Sequence, residues 1–384
     1  MKLLRLWSDR RRPSKPAGAP AFSGPVVPPP DMTARRLAEA ADRIVIVDPV
    51  RPVRTPSAAP RLDRPETNPF AGDVLKPMRV RHYLLRDAVL DATTMILLAR
   101  QARLRETAYC LGEETWGAVQ VRDPISPPPG TDRVIVGANL WVANYFHWMI
   151  QSVPAIDTAL RRRDRSGRPV SVALHAEAPF QTAALDLLGW GEVPRLRLEA
   201  GRQYRLPLAE YSQFLSGEPV FALSASEAAT FARLRAAVPL AGRPGRRIYV
   251  ARTDAAARRM RSEAALIDRL AAAGFEIVVP GALTFHQQAA VFREAALVVG
   301  AHGAGMANIV FCERGAFVLE LMPAHNANGC YRTVAALCGL RYWADAYPDP
   351  SPTGDGPPHV RDWDLDVDHV LWRVGGILRQ LANG

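Results

Sequence analysis

From residue 133 onward, short apolar runs take turns with stretches whose apolar positions recur every three or four residues. Residues 133–140, 170–175 and 196–198 predict strands, and 145–163 and 180–188 predict helices. Ala241, Gly242, Pro244 and Gly245 then punctuate the chain. Beyond them the alternation resumes, with strands at 247–251, 275–279, 296–300, 316–322 and 342–346 and helices at 262–273, 285–294, 305–312 and 330–337. Such alternation builds parallel sheets covered by helices, so the expected fold class is α/β, in two halves joined near residue 240. Upstream, 87–98 alternates and then runs apolar, as in a hairpin or a sheet edge, and three prolines between Ser126 and Gly130 make a hard loop. At the other end, Val370, Leu371, Val374, Ile377 and Leu378 fall on one helical face. A terminal helix of that kind must pack on something, and across a cleft onto the first half is one option.

The first 77 residues break this rhythm. Thirteen of the 33 prolines fall in residues 1–70, three of them consecutive at Pro28, Pro29 and Pro30, which leaves only 33–42 to read as a short helix. The expected division is a Pro/Arg-rich, largely irregular arm (1–77), an N-terminal α/β domain (78–240), a C-terminal α/β domain (241–347), and a tail with a terminal helix packing back on the body (348–384).

Composition narrows the class. Hydrophobic residues at 48% and charged residues at 22% argue against wholesale disorder, collagen-like repeats and a multi-span membrane protein. The net charge of +10 is mostly local, because residues 1–70 hold 13 Lys or Arg against 7 Asp or Glu. With so modest an excess on the folded part and no reader motif, nucleic acid is not an expected partner. Four cysteines without a Cys-x-x-Cys fit a reducing compartment. No secretory leader and no stretch approaching ~18 apolar residues stands out, so the expected location is cytoplasmic. Leu3, Leu4, Leu6 and Trp7 beside Arg10, Arg11 and Arg12 could touch an anionic bilayer from its inner face. The plainer reading of the arm is a Pro-rich segment with incidental charge.

Chemistry concentrates in a few places. At Val298-Val299-Gly300-Ala301-His302-Gly303-Ala304-Gly305 a buried strand empties into small residues before a helix. Free N–H groups and the helix dipole there favour an anion, and Gly303 and Gly305 let it approach the main chain; tight helix–sheet packing also explains the small residues. The strand Ile248–Ala251 runs into Arg252, with Arg258, Arg259 and Arg261 after it, and strand ends of a parallel sheet meet in the ligand crevice. Arg252 there suits a diphosphate, while Arg259 and Arg261 read as solvated. Glu320 closes a strand, where a carboxylate accepts ribose hydroxyls or pairs with an arginine. In the first half, Asn144-Tyr145-Phe146-His147-Trp148 opens a helix, so His147 is either a general base facing a cleft or a hydrogen-bonded core residue. Trp141, Tyr145 and Trp148 could offer flat faces to sugar rings. The acids Asp362, Asp364, Asp366 and Asp368 resemble a metal-binding Asp-x-Asp run, but an exposed strand face with an N-cap at Asp368 explains them more simply.

Taken together these segments resemble glycosyltransferase family 61. The matching residues are Arg247-Ile248-Tyr249-Val250-Ala251-Arg252, Arg258 through Glu263, Gly274-Phe275-Glu276-Ile277-Val278, Phe285-His286-Gln287-Gln288, Ala295 through Asn308, Phe311 and Val318-Leu319-Glu320-Leu321-Met322-Pro323, with Asn144 to Trp148 upstream. The likeness covers roughly 130–347, and Ser262 departs from it where the family pattern shows Asn before the Glu. It implies a GT-B architecture, two Rossmann-like domains facing across a cleft, with inverting transfer from a nucleotide-sugar co-substrate and neither metal nor other cofactor. It further implies donor diphosphate binding by Arg252, Arg258, His302, Gly303, Ala304 and Gly305, nucleoside binding by Glu320, catalysis by His147, and acceptor contacts by Asn144, Tyr145 and Trp148. The expected acceptor is a saccharide, free or lipid-linked, in surface or capsular polysaccharide synthesis. The competing expectation is a non-catalytic subunit that binds nucleotide-sugar or polysaccharide with the same fold.

Overall fold

The computed structural model describes residues 33–47, 78–162, 169–217, 223–347 and 360–383. Nine strands make the first sheet: β1 (Thr33–Arg35), β2 (Arg43–Ile46), β3 (Arg81–Asp91), β4 (Leu97–Ala99), β5 (Ala102–Leu104), β6 (Arg133–Val136), β7 (Val170–Leu174), β8 (Arg195–Arg197) and β9 (Gln203–Ser212). Their order is β1-β5-β4-β3-β9-β6-β7-β8, with β2 paired to the start of β3. The block β9-β6-β7-β8 is parallel, whereas β3 pairs antiparallel with β2, β4 and β9. This half is therefore mixed rather than the purely parallel sheet that alternation alone suggests, because the hairpin region extends the sheet instead of decorating its edge.

The second sheet is wholly parallel. It comprises β10 (Arg246–Val250), β11 (Glu276–Val278), β12 (Ala295–Ala301), β13 (Phe317–Pro323) and β14 (Arg341–Tyr347), in the order β11-β10-β12-β13-β14. Strand order reverses between β10 and β12, and in doubly wound sheets the crevice outside the carboxyl ends of such a strand pair is where ligands bind. The two sheets are consistent with a two-domain GT-B-like arrangement.

Two elements escape the apolar pattern. β9 contains Pro207, which lacks a ladder donor and would normally argue against a central strand. It is accommodated opposite Asp87, whose φ of +50° breaks the register between the Arg86–Leu208 and Ala88–Leu206 pairs. The second is the helix Ala225–Ala236, alanine-rich with only Phe231 and Leu234 as large buried apolar residues. It packs on Val153–Arg161 of the first half and on Ala304–Phe311 and Cys330–Cys338 of the second, so both halves share one apolar core.

Three expectations need correction. Residues 33–42 are not one helix, since β1 and the four-residue helix Leu37–Ala40 share that stretch and β2 follows it. The rest of the arm, with the residues suggested for membrane contact, lies outside the described residues. The terminal helix, Val367–Ala382, does not cross to the first half. Val370, Val374 and Ile377 pack with Leu266, Leu270 and Trp343 against the second half's own sheet, covering a face that would otherwise be wet. Its N-cap is Asp366, which accepts the His369 N–H, rather than Asp368.

Burying an isoleucine side chain contributes roughly 1.5–3 kcal/mol, and removing it adds a cavity term. Ile377→Ala should lower the unfolding free energy by about 2–4 kcal/mol in urea titrations. A change under about 0.5 kcal/mol would mean that the helix is not integral to the second half.

Candidate active site

β10 ends at Val250, and Arg252 then enters the crevice. Its main-chain N–H donates to Glu263 Oε1 at 2.7 Å, and the Tyr249 hydroxyl donates to the same oxygen at 3.1 Å. A buried carboxylate at the start of the helix Glu263–Ala272 thus fixes the backbone where the strand stops. The Arg252 guanidinium donates to the carbonyls of His302 and Ala257, the latter at 3.1 Å. Burial pulls its pKa below the usual arginine range, against the opposing charge of Glu263.

Arg258 sits beside it in a left-handed conformation, φ +56°, which arginine adopts at a cost of order 1–3 kcal/mol and which gathers at functional sites. Its Nε is buried without a hydrogen-bond partner among the described residues. Burial first, and the charge of Arg252 second, pull its pKa down to about 10, so it stays cationic at neutral pH. The tail straps this loop in place. The Arg258 N–H donates to the Val360 carbonyl at 3.2 Å, Arg259 and Arg261 exchange main-chain bonds with Trp363, and the Ser262 N–H donates to Asp364. The same contacts account for the acidic run. Asp362 pairs with Arg259, Asp364 lies 3.6 Å from Arg261, Asp366 caps and Asp368 meets Arg269.

After β12 the chain passes His302 and Gly303 into Ala304–Phe311, a 3-10 helix rather than the expected α-helix. Gly303 is extended (φ 176°), so no special dihedral demands glycine there. Space does: a Cβ would stand 2.6 Å from Arg252 Nη1. At Gly305 a Cβ would meet Pro280 Cγ at 3.0 Å and Val250 Cγ1 at 3.4 Å, which is the packing role. The first bond of the turn runs from Met306 N–H to the Gly303 carbonyl, so the N–H groups of Ala304 and Gly305 precede any carbonyl the turn could offer them. Gly303, Ala304, Gly305 and Met306 line a cavity of about 330 Å³ with Arg252, while Tyr145 and Phe180 close it from the first half; His302 and Arg258 stand outside its lining.

Glu320 is not placed to bind a nucleoside. It is wholly buried, with Oε1 2.5 Å from His302 Nδ1 and Oε2 accepting from the Tyr342 hydroxyl, so it orients the histidine instead. The carboxylate that the cavity does offer is Asp254, two residues beyond Arg252 and exposed. Nothing in its sequence context distinguished it; only its place past a strand end, the same signal that marked Arg252, could have done so.

The first-half segment divides similarly. Asn144 is an N-cap, accepting the Phe146 N–H at 2.9 Å, and Trp148 is wholly buried, so Trp148 presents no face to an acceptor. The Tyr145 hydroxyl donates to Asn308 Oδ1 at 2.6 Å, and Asn308 Nδ2 donates to Gln288 at 2.8 Å, joining the two halves. Desolvation drives the Tyr145 pKa far up, which keeps this donor protonated. His147 is half-buried beside Trp141 and Tyr109, and burial lowers its pKa against a hydrogen bond to Gln151 that raises it. Rings link it to the turn after β12: Phe146 lies 5.3 Å from His147 and 5.5 Å from Tyr331, and Tyr331 lies 5.5 Å from His302. Asp157, the other base that the chain offers in this helix, is buried under Arg161, Trp190, Thr230 and Arg233, all donating to it. That network holds structure, and Asp157 has no free oxygen for a substrate.

Residues 145–319 match the family model described as Glycosyltransferase 61. This chain carries a glycosyltransferase family 61 domain. A stretch of 109 residues is also 29% identical to the EGF domain-specific O-linked N-acetylglucosamine transferase of Drosophila melanogaster, covering 26% of this chain. The chain spans about a fifth of that relative's length, 21%. The family 61 domain begins at Tyr145, contains His147, Arg252, Arg258 and the 302–305 turn, and stops one residue before Glu320.

Gly303→Val should displace the Arg252 guanidinium and weaken UDP or GDP binding at least tenfold by calorimetry, about 1.4 kcal/mol. Unchanged affinity in the folded variant would detach this turn from nucleotide binding.

Proposed function

We propose that this chain is an inverting glycosyltransferase that moves a sugar from a nucleotide-sugar donor to a saccharide acceptor. One observation carries the reading: Arg252 and Arg258 stand together, mostly out of water, with no carboxylate hydrogen-bonded to either guanidinium among the described residues, at the point where strand order reverses. A pair of cations so placed is complementary to an anion, and a diphosphate fits the two N–H groups of the neighbouring turn.

In the proposed reaction the acceptor hydroxyl attacks the anomeric carbon on the face opposite the diphosphate. As the new C–O bond forms, the bond to the diphosphate oxygen breaks and its electron pair stays with the leaving group. Arg252, Arg258 and the turn N–H groups meet that growing charge, which is where fixed donors stabilise the transition state most. His147 takes the hydroxyl proton, and its lowered pKa supports this role by keeping the ring neutral near pH 7. Half-buried Trp141 and Tyr109 beside it are the flat surfaces left for an acceptor sugar, in place of Trp148. The relative's name favours a hexosyl donor, and family resemblance favours surface or capsular polysaccharide as the product. Four cysteines without a disulfide agree with a cytoplasmic site of action. No helix among the described residues is long and apolar enough to cross a membrane.

The deciding experiment is a panel of UDP-, GDP-, CMP- and dTDP-sugars scored for thermal stabilisation and for nucleotide release with acceptor. Stabilisation by one donor with acceptor-dependent release supports transfer. Stabilisation with no turnover against any acceptor would favour the binding subunit.

His147→Ala should retain donor affinity while turnover falls about 10²–10⁴-fold, the usual contribution of a general base. Because the imidazole must be neutral to act, kcat/KM should fall on the acid side through a pKa below 6.5. A limb above pH 7 would contradict the assignment. Excess EDTA should leave turnover intact, because two guanidinium groups occupy the role a divalent cation would fill and the acidic run is engaged by its own partners. Activity lost on chelation and restored by manganese would reverse that expectation.

A further inference from the structure

The helix that carries His147 is not uniform. After Tyr145–His147 it widens into a π-helical turn, Trp148–Ser152, before resuming as Val153–Arg161. Such turns are rare and are frequently found at functional sites. This one brings Gln151, itself fully buried, to His147, with Gln151 Oε1 2.8 Å from His147 Nδ1.

Which atom donates follows from the main chain. Asn139 is buried and held at both ends by backbone groups. Its Oδ1 accepts the Trp141 N–H at 3.0 Å, and its Nδ2 donates to the Leu215 carbonyl at 3.1 Å. A backbone N–H can only donate and a carbonyl can only accept, so the Asn139 amide has a single orientation. Its remaining N–H donates to Gln151 Oε1 at 2.8 Å, which fixes the Gln151 amide in turn. An oxygen facing His147 Nδ1 requires that nitrogen to carry the proton. In a neutral ring the other nitrogen, Nε2, is then a bare acceptor, and it has no partner among the described residues.

We propose that Gln151 is a positioning residue, oriented through Asn139, that locks His147 in the tautomer with Nδ1 protonated and Nε2 free to take a proton. The catalytic consequence rests on reading His147 as the base; the tautomer does not. An amide suits this task because it directs the ring without adding charge to the pocket.

The test compares Gln151→Met, which keeps length and removes the acceptor, with Gln151→Glu, which keeps an acceptor for both His147 and Asn139. Nitrogen-15 shifts of His147 in the full-length protein, read above its pKa, should show Nδ1–H in the native chain and in Gln151→Glu. In Gln151→Met they should move toward the Nε2–H form. Turnover should fall at least tenfold in Gln151→Met with donor KM within about twofold, and Gln151→Glu should recover most of it. A native Nε2–H ring, or the same tautomer in Gln151→Met, overturns the proposal. A tautomer that shifts as expected while His147→Ala keeps full turnover would remove the base assignment and leave the Gln151 lock standing.

Discussion

Two guanidinium groups kept beside each other and largely out of water repel, and each loses hydration, so the surrounding structure must hold them against both effects. Arg252 is held by carbonyls and by a strand end that Glu263 pins. Arg258 is held by its left-handed backbone and by the strap from Val360 to Asp364. Gly303 is bare because the Arg252 guanidinium fills the space a side chain would take. Neither guanidinium has a carboxylate hydrogen-bonded to it among the described residues, which is why the proposed reaction places the diphosphate there.

The same economy joins the halves. Tyr145 belongs to the first half by sequence, yet its hydroxyl ends on Asn308, within the helix that follows the glycine turn. Phe146 touches Tyr331, and the Tyr331 hydroxyl in turn donates to the Gly303 carbonyl at 2.6 Å. A shift of the first-half helix therefore reaches the 302–305 turn and the helix after it through two separate contacts.

The second half was legible almost strand for strand, because fully buried parallel strands read as continuous apolar runs broken by turn residues. Arg252 and the 302–305 turn were legible for the same reason: the ends of such strands mark the crevice. What escaped were features set by tertiary partners. Pro207 hides β9 because the break at Asp87 that tolerates it lies 120 residues away. Glu320 looked like a ligand contact because sequence cannot show that His302 and Tyr342 already occupy both its oxygens. Trp148 looked like a sugar platform because sequence shows its place beside His147 but not that its ring is wholly buried in the core. Arg258 was named on sequence grounds, but its buried Nε, unpartnered among the described residues, is visible only in three dimensions.

The distribution of thiols has a practical side. Cys312, Cys330 and Cys338 are buried, and burial raises the pKa of each, so none presents a reactive thiolate near neutral pH. Cys110 is exposed and is the neighbour of Tyr109, whose ring lies 5.9 Å from that of His147. A maleimide fluorophore would therefore attach at one place on the native chain, without engineering, and that place adjoins the ring that packs on His147. The protein comes with its own address for an optical reporter of the surroundings of His147.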